Sequence, residues 1–266
     1  MRRVISTAIY ALSATIGVLA FIYPFFLDTH ASGAIGISHS QDAALATTAL
    51  VTLSLVALLV ELQGQAISAK TVALLGVLVA ITSVLRFIEV AVPMPGGFSP
   101  IFAPIILAGY VFGSRFGFLM GAFTLLVSGL ITGGVGPWLP YQMFAAGWVG
   151  LTAGWLPRLT PHVSRFTFHL LLSIFAFAWG LLYGAIINLY FWPFAMGPVR
   201  QAWTPGIGLR ETLARYAAFY VATSLGWDLV RAGGNVALIL LLGVPTVRAL
   251  TRFRRRFHFE AQPADA

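Results

Sequence analysis

Charged residues inside long apolar stretches are the residues of this sequence best placed to do chemistry. Arg86 and Glu89 stand three residues apart in one apolar run, and Asp228 and Arg231 repeat that spacing in a later run. Residues three apart share a helix face, so each pair can neutralise itself. Charges inside a membrane are costly and invite a functional explanation. Each pair is therefore interpreted either as a structural ion pair or as polar contacts beneath a ligand pocket.

Two segments, 93–100 and 132–140, are rich in glycine, proline and aromatic residues and interrupt the apolar runs. A short helix after such a loop leaves its N-terminal amides facing a cavity, where they can hold a polar ligand group. We interpret these loops as the rim of a binding site, although an interfacial aromatic belt is the alternative near residue 190. The candidate substrate-binding residues are Phe98, Trp138, Tyr141, Gln142, Met143, Trp148, Asn188, Trp203, Trp227 and Asp228.

Signatures of catalysis and of metal binding are missing from the sequence. There is no HExxH, Walker A or GxSxG motif, and there is no cysteine. The five histidines are scattered without the spacing of metal ligands. We therefore predict no enzyme activity, no cofactor and no metal site, and any drive by ATP hydrolysis must come from another subunit.

The composition indicates which elements position these residues. The chain has 266 residues, 59% hydrophobic and only 9% charged, whereas soluble domains carry about a quarter charged residues. A helix needs about 20 apolar residues to cross a bilayer. The sequence therefore predicts an all-α polytopic membrane helix bundle with about eight crossings. The expected apolar segments are 4–26, 43–60, 71–92, 101–112, 116–131, 141–156, 166–192 and 213–247, of which the last divides near Trp227.

The positive charges predict an orientation in the cell membrane. Most of the 16 Lys and Arg residues fall on the side of the N-terminus, which indicates cytoplasmic N- and C-termini and outward-facing glycine-rich loops. The basic segment 252–256 follows the last span, where it can contact anionic lipid head groups. We prefer this lipid interpretation to binding of nucleic acid.

Small residues recur four apart and predict close helix contacts. They serve either internal packing or, on the third span, docking of another membrane protein. The pairs are Gly109/Gly113, Gly117/Gly121, Gly150/Gly154, Gly180/Gly184 and the looser Gly76/Ala80.

A family resemblance joins these features. Segment 96–157 reads GGFSPIFAPIILAGYVFGSRFGFLMGAFTLLVSGLITGGVGPWLPYQMFAAGWVGLTAGWLP. It resembles the substrate-binding S component of energy-coupling factor (ECF) transporters. Segment 220–243, YVATSLGWDLVRAGGNVALILLLG, is similar to the last helix of these proteins. The resemblance covers about 71–256 and looks closest to the cobalamin-type group.

The resemblance implies a six-helix protein that captures a vitamin at the outer face. It would work with a transmembrane coupling protein and two cytoplasmic ATPases. Residues 67–256 would form the six-helix core, 1–66 two extra spans, and 257–266 a cytoplasmic tail. Loops 93–100, 132–140 and 193–209 would close the pocket. The coupling protein would dock on Ala73, Gly76 and Ala80, a departure from the usual alanine pair.

Two other functions remain open at this point. A membrane scaffold that transports nothing would have its outer cavity filled with side chains. A solitary transporter would support uptake in a host that lacks coupling subunits.

Overall fold

A computed structural model describes residues 11–12, 15–19, 21–22, 25, 69–92, 96–136, 138–159, 164–195 and 197–257. These residues form helices joined by turns and loops, with no strand among them, so the all-α prediction is confirmed. The expected span 43–60, most of span 4–26 and the tail after 257 lie outside the described residues. From residue 69 onward the α-helices are α1 (Ala69–Ala91), α2 (Phe102–Phe112), α3 (Ser114–Thr132), α4 (Leu139–Ala153), α5 (Leu156–Leu159), α6 (Arg165–Phe191), α7 (Leu209–Thr223) and α8 (Leu225–Phe257), and a short 3-10 helix (Trp192–Phe194) follows α6.

Four of these helices are long and apolar enough to cross a bilayer, namely α1, α3, α6 and α8. The 11 residues of α2 and the 15 of α4 extend only about 16 Å and 22 Å at 1.5 Å per residue. Neither reaches across a hydrocarbon core of about 30 Å. Both are therefore short helices inside the bundle, as their apolar lengths predict.

The short helix α2 forms the centre of the core. Eight of its residues are buried, and Ile105 and Ile106 are fully enclosed. It packs against α3, α4, α6 and α8. Because lipid gives no hydrophobic drive between helices, this close packing is what holds the bundle together.

Glycines let α3 and α4 touch along their backbones. A Cβ atom added to Gly121 would lie 2.1 Å from the carbonyl oxygen of Ala146, and one added to Gly150 would lie 2.0 Å from that of Gly117. Gly180 of α6 makes a similar close approach to Ala232 of α8, at 2.4 Å from its Cα. These glycines are therefore used for packing inside the bundle.

The described part of the N-terminal segment packs on the core. Phe21 is buried, and its ring centroid lies 5.0 Å from that of Tyr141 in α4. The ring centroid of Phe25 lies 5.7 Å from that of Trp203 and 5.9 Å from that of Trp192. Phe21 and Phe25 thus contact α4 and the aromatic residues that follow α6.

One end of the bundle is rich in basic residues. Arg254 of α8 donates a hydrogen bond to the carbonyl of Val111 at 2.8 Å, and Gly154 after α4 lies against Ser114. The α2–α3 turn, the end of α4 and the end of α8 therefore share one end. Basic residues gather there on successive elements, namely Lys70, Arg115, Arg252, Arg254 and Arg255.

Helix α7 lies largely on the surface, since Phe219 is its only buried residue. The hydroxyl of Tyr220 donates to the carbonyl of Leu181 at 3.2 Å, which ties α7 to α6. The boundary between α7 and α8 falls at Ser224, three residues before the expected division. The start of α8 is thereby placed at the end of the bundle opposite the basic residues.

Candidate substrate-binding cavity

A cavity of about 310 Å³ opens among the ends of α1, α2, α4, α6 and α8 and the loop 96–101. It lies at the end of the bundle opposite the basic residues described above. The polar side chains are spread over four of the helices, so no single element defines the site. The charged and amide residues in its lining are Arg86, Glu89, Gln142, Asn188, Asp228 and Arg231.

The first ion pair of the cavity fastens the loop after α1. Nη1 of Arg86 lies 3.3 Å from Oε1 of Glu89, one helical turn along α1. The hydroxyl of Ser99 donates to Oε2 of Glu89 at 2.7 Å. Both oxygens of the Glu89 carboxylate therefore accept a hydrogen bond, and the second holds the loop against α1.

The second ion pair is more deeply placed and less complete. Asp228 is only 2% exposed, and its Oδ1 accepts from the guanidinium of Arg231. No described residue donates a hydrogen bond to its Oδ2. A Cβ on Gly184 of α6 would lie 1.8 Å from this same Oδ2, so the absence of a side chain at 184 makes room for the carboxylate.

Aromatic rings form the apolar part of the cavity wall. The rings of Phe102 and Tyr183 meet edge to face, with centroids 4.6 Å apart. The guanidinium carbon of Arg231 lies 5.4 Å from the Tyr183 centroid, within the range of a cation–π contact. Trp227 lies on the rim with 58% of its surface exposed.

The loop 96–101 is seated directly on the start of α8. Gly97 has φ +80, and a Cβ there would lie 2.3 Å from the carbonyl oxygen of Trp227. A Cβ on Gly96 would lie 3.1 Å from the Trp227 ring. These two glycines therefore allow the loop to approach α8 far more closely than residues with side chains would.

A hydrogen bond joins α6 to the junction before α8. Nδ2 of Asn188 donates to Oγ of Ser224 at 2.7 Å, and both residues line the cavity. This bond ties α6 to the junction before α8.

Four of the residues predicted from the sequence line the cavity: Gln142, Asn188, Trp227 and Asp228. Phe98 stands beside it and packs on α8, because a Cβ on Gly234 would lie 2.3 Å from the Phe98 ring.

The other predicted residues lie outside the cavity lining. Trp138 is 45% exposed, and its Nε1 donates to the carbonyl of Gly134 at 3.1 Å. Tyr141 and Met143 are buried in α4, while Trp148 packs against Phe21 with ring centroids 5.7 Å apart. Trp203 joins the buried aromatic cluster that contains Trp192.

Several lining residues were absent from the candidate set. Arg86, Glu89 and Arg231 stood out in the sequence as charges, yet their ion pairs also had a structural interpretation. Phe102, Tyr183 and Ser224 were missed altogether, whereas Ser99 lies in the loop 93–100 that the sequence predicts as part of the rim. A usable signal was the spacing of Ser224, Asp228 and Arg231, which puts the residue before α8 and two residues of its first turns on the same side.

The residues predicted for partner docking lie on the outer face of α1. Ala73, Gly76 and Ala80 are exposed, and a Cβ on Gly76 would meet nothing within 4 Å. The opposite face of α1, with Leu75 and Val79, is buried against the bundle.

A helical membrane bundle with a polar cavity at one end defines a class of membrane binding and transport components. The family model for the substrate-specific component of ECF transporters matches residues 70–243. That match covers well over half of the chain, which therefore belongs to this family. It is a multi-pass membrane transport protein and not an enzyme, and membership implies association with an ECF coupling protein and ATPases. No curated protein and no solved structure gives a significant match.

Proposed function

We propose that this chain captures a vitamin or similar organic micronutrient in the cavity between α1, α6 and α8, from the outer side of the membrane. The observation that carries the proposal is the cavity itself, with polar groups converging from several helices at the end away from the basic residues. Because Lys and Arg concentrate on the cytoplasmic side of membrane proteins, this end faces outward, with both termini in the cytoplasm.

The volume of the cavity limits the size of the substrate. At about 310 Å³ it lies at the small end of ligand pockets, which span about 300–1,000 Å³. Cobalamin, which the sequence resemblance favours, is far larger than such a space. We therefore place a vitamin with one or two rings ahead of cobalamin as the substrate.

The exposed face of α1 is proposed as the surface that meets the coupling protein. Its small residues Ala73, Gly76 and Ala80 are clear of the bundle, so the backbone of a partner helix can approach closely. The partner ATPases would then supply the energy for release of substrate into the cytoplasm.

A thermal-shift screen of the purified chain in detergent tests the binding role. The first panel is thiamin, riboflavin, biotin, folate and cobalamin. A ligand at 100 times its Kd stabilises the folded state by about 2.7 kcal/mol, which corresponds to a rise in Tm of about 5–10 °C.

A rise with one compound supports a capture subunit, and a rise with cobalamin alone would overturn the preference for a small vitamin. A folded sample whose Tm is unchanged by all five compounds would contradict the vitamin proposal. The open cavity already counts against a scaffold, which would fill that space with side chains.

A further inference from the structure

The two carboxylates of the cavity are not equivalent. Both oxygens of Glu89 accept hydrogen bonds, one from Arg86 and one from Ser99. In Asp228, Oδ1 accepts from Arg231, whereas Oδ2 has no hydrogen-bond partner among the described residues. The hydroxyl of Tyr220 also interacts with this carboxylate, but its hydrogen bond goes to the carbonyl of Leu181. An unsatisfied buried acceptor is costly, and a bound donor relieves that cost. Glu89 therefore holds the loop 96–101 against α1, whereas Oδ2 of Asp228 can accept a hydrogen bond from a ligand.

The rest of the lining restricts what that donor can belong to. Two arginines and two carboxylates give the cavity a formal charge of zero, which gives no preference to an anion such as a phosphate ester. The rings of Phe102, Tyr183 and Trp227 offer faces and edges to a planar aromatic ligand. The volume of about 310 Å³ limits the ligand to a small ring system.

We infer that the cavity takes a neutral nitrogen heterocycle, whose ring N–H group donates a hydrogen bond to Oδ2 of Asp228. Asp228 is thereby assigned as the specificity-determining residue of the site. Gly184 belongs to the same recognition site, because any side chain at this position would occupy the space of the Asp228 carboxylate. This inference rests on the proposed capture function and adds the substrate class and the atom that recognises it.

The test pairs each heterocycle with its N-methyl counterpart. The probes are benzimidazole and N-methylbenzimidazole, and lumazine and its N,N-dimethyl derivative, with binding to the full chain in detergent measured by calorimetry. Methylation removes the donor and adds little volume. A hydrogen bond to a charged group predicts a loss of about 10- to 100-fold in affinity for the methylated member.

The variant Asp228→Asn tests whether Asp228 is the group that distinguishes the parent probe from the methylated probe. This variant leaves Arg231 without its charged partner, so the affinity for all probes is expected to fall somewhat. The informative quantity is therefore the ratio of the Kd of the methylated probe to the Kd of its parent. We expect that ratio to fall to within about 2-fold in Asp228→Asn and to remain at the wild-type value in Glu211→Gln. Glu211 also pairs with an arginine of its own helix, Arg215, but lies on α7 outside the cavity.

The outcomes separate the inference from the proposed function. Equal binding of parent and methylated probes by the wild-type chain overturns the inference, even if Asp228→Asn does not fold. A vitamin from the thermal-shift panel that binds while neither parent heterocycle does also overturns the inference and leaves the capture function standing. An unchanged ratio in a folded Asp228→Asn chain would show that another group recognises the donor.

Discussion

Replacing Gly97 by alanine tests whether the loop 96–101 is seated on α8 as a wall of the cavity. Gly97 combines a positive φ of +80 with a close approach to the carbonyl of Trp227, at 2.3 Å from the position of an added Cβ. Gly206 has nearly the same φ, +82, but an added Cβ there would meet nothing within 4 Å. Gly206→Ala therefore carries the backbone cost without the contact, and it serves as the matched control.

The expected difference in Tm between the two variants follows from the backbone cost and the contact cost. The left-handed conformation costs an L-residue about 1–2 kcal/mol, and that cost is common to both variants. The contact with a backbone carbonyl cannot be relieved by a rotamer change, so Gly97→Ala carries a further cost of about 1–3 kcal/mol from overpacking. At about 2–4 °C per kcal/mol, its Tm should lie about 2–12 °C below that of Gly206→Ala.

Thermal unfolding and ligand titration together measure this difference. If the loop lifts from α8 instead of straining the fold, the same cost appears as a loss of about 5- to 150-fold in affinity for the ligand found in the thermal-shift panel. Equal Tm and equal affinity in the two variants would refute the close seating of the loop on Trp227.

Two further substitutions test the cavity rim and the outer face of α1. Trp227→Ala should weaken ligand binding by about 10-fold or more because it removes an aromatic side chain from the cavity wall. Trp138→Ala should change the affinity by less than about 3-fold. A larger loss in Trp138→Ala than in Trp227→Ala, measured by binding titration, would indicate that the ligand binds at the loop before α4. Gly76→Leu should leave Tm within about 2 °C of wild type, because nothing lies near its Cβ, yet should reduce co-purification with the coupling protein. Gly121→Leu, which clashes inside the bundle, should instead lower Tm, and undiminished co-purification of a folded Gly76→Leu chain would remove α1 as the docking face.

The helices of the bundle could be predicted from the sequence because apolar length and glycine or proline breaks are strong local signals. The short length of α2 and of α4 followed directly from runs too short for a bilayer. The division of segment 213–247 was also visible, although its boundary falls at Ser224, ahead of the expected Trp227. The cost of non-helical backbone in lipid explains why these signals are so direct.

The cavity was harder to predict because it depends on which faces of separate helices meet. Tyr141 and Trp148 are of residue types that often bind ligands, yet α4 turns them toward the core and the N-terminal segment. Ser99 gains its role only when the loop folds back on Glu89, ten residues earlier. Such pairings between a loop and a helix have no periodic signature, whereas the shared helix face of Asp228 and Arg231 is visible in their spacing.

Uptake of radiolabelled ligand is the measurement that tests the central claim most directly. The chain would be expressed in a host that lacks ECF coupling and ATPase subunits, alone and together with them, with the ligand chosen by the thermal-shift panel. We expect ligand to bind in both strains but to accumulate inside only when all subunits are present. Accumulation by the chain alone would contradict its role as a capture subunit and would establish a solitary transporter.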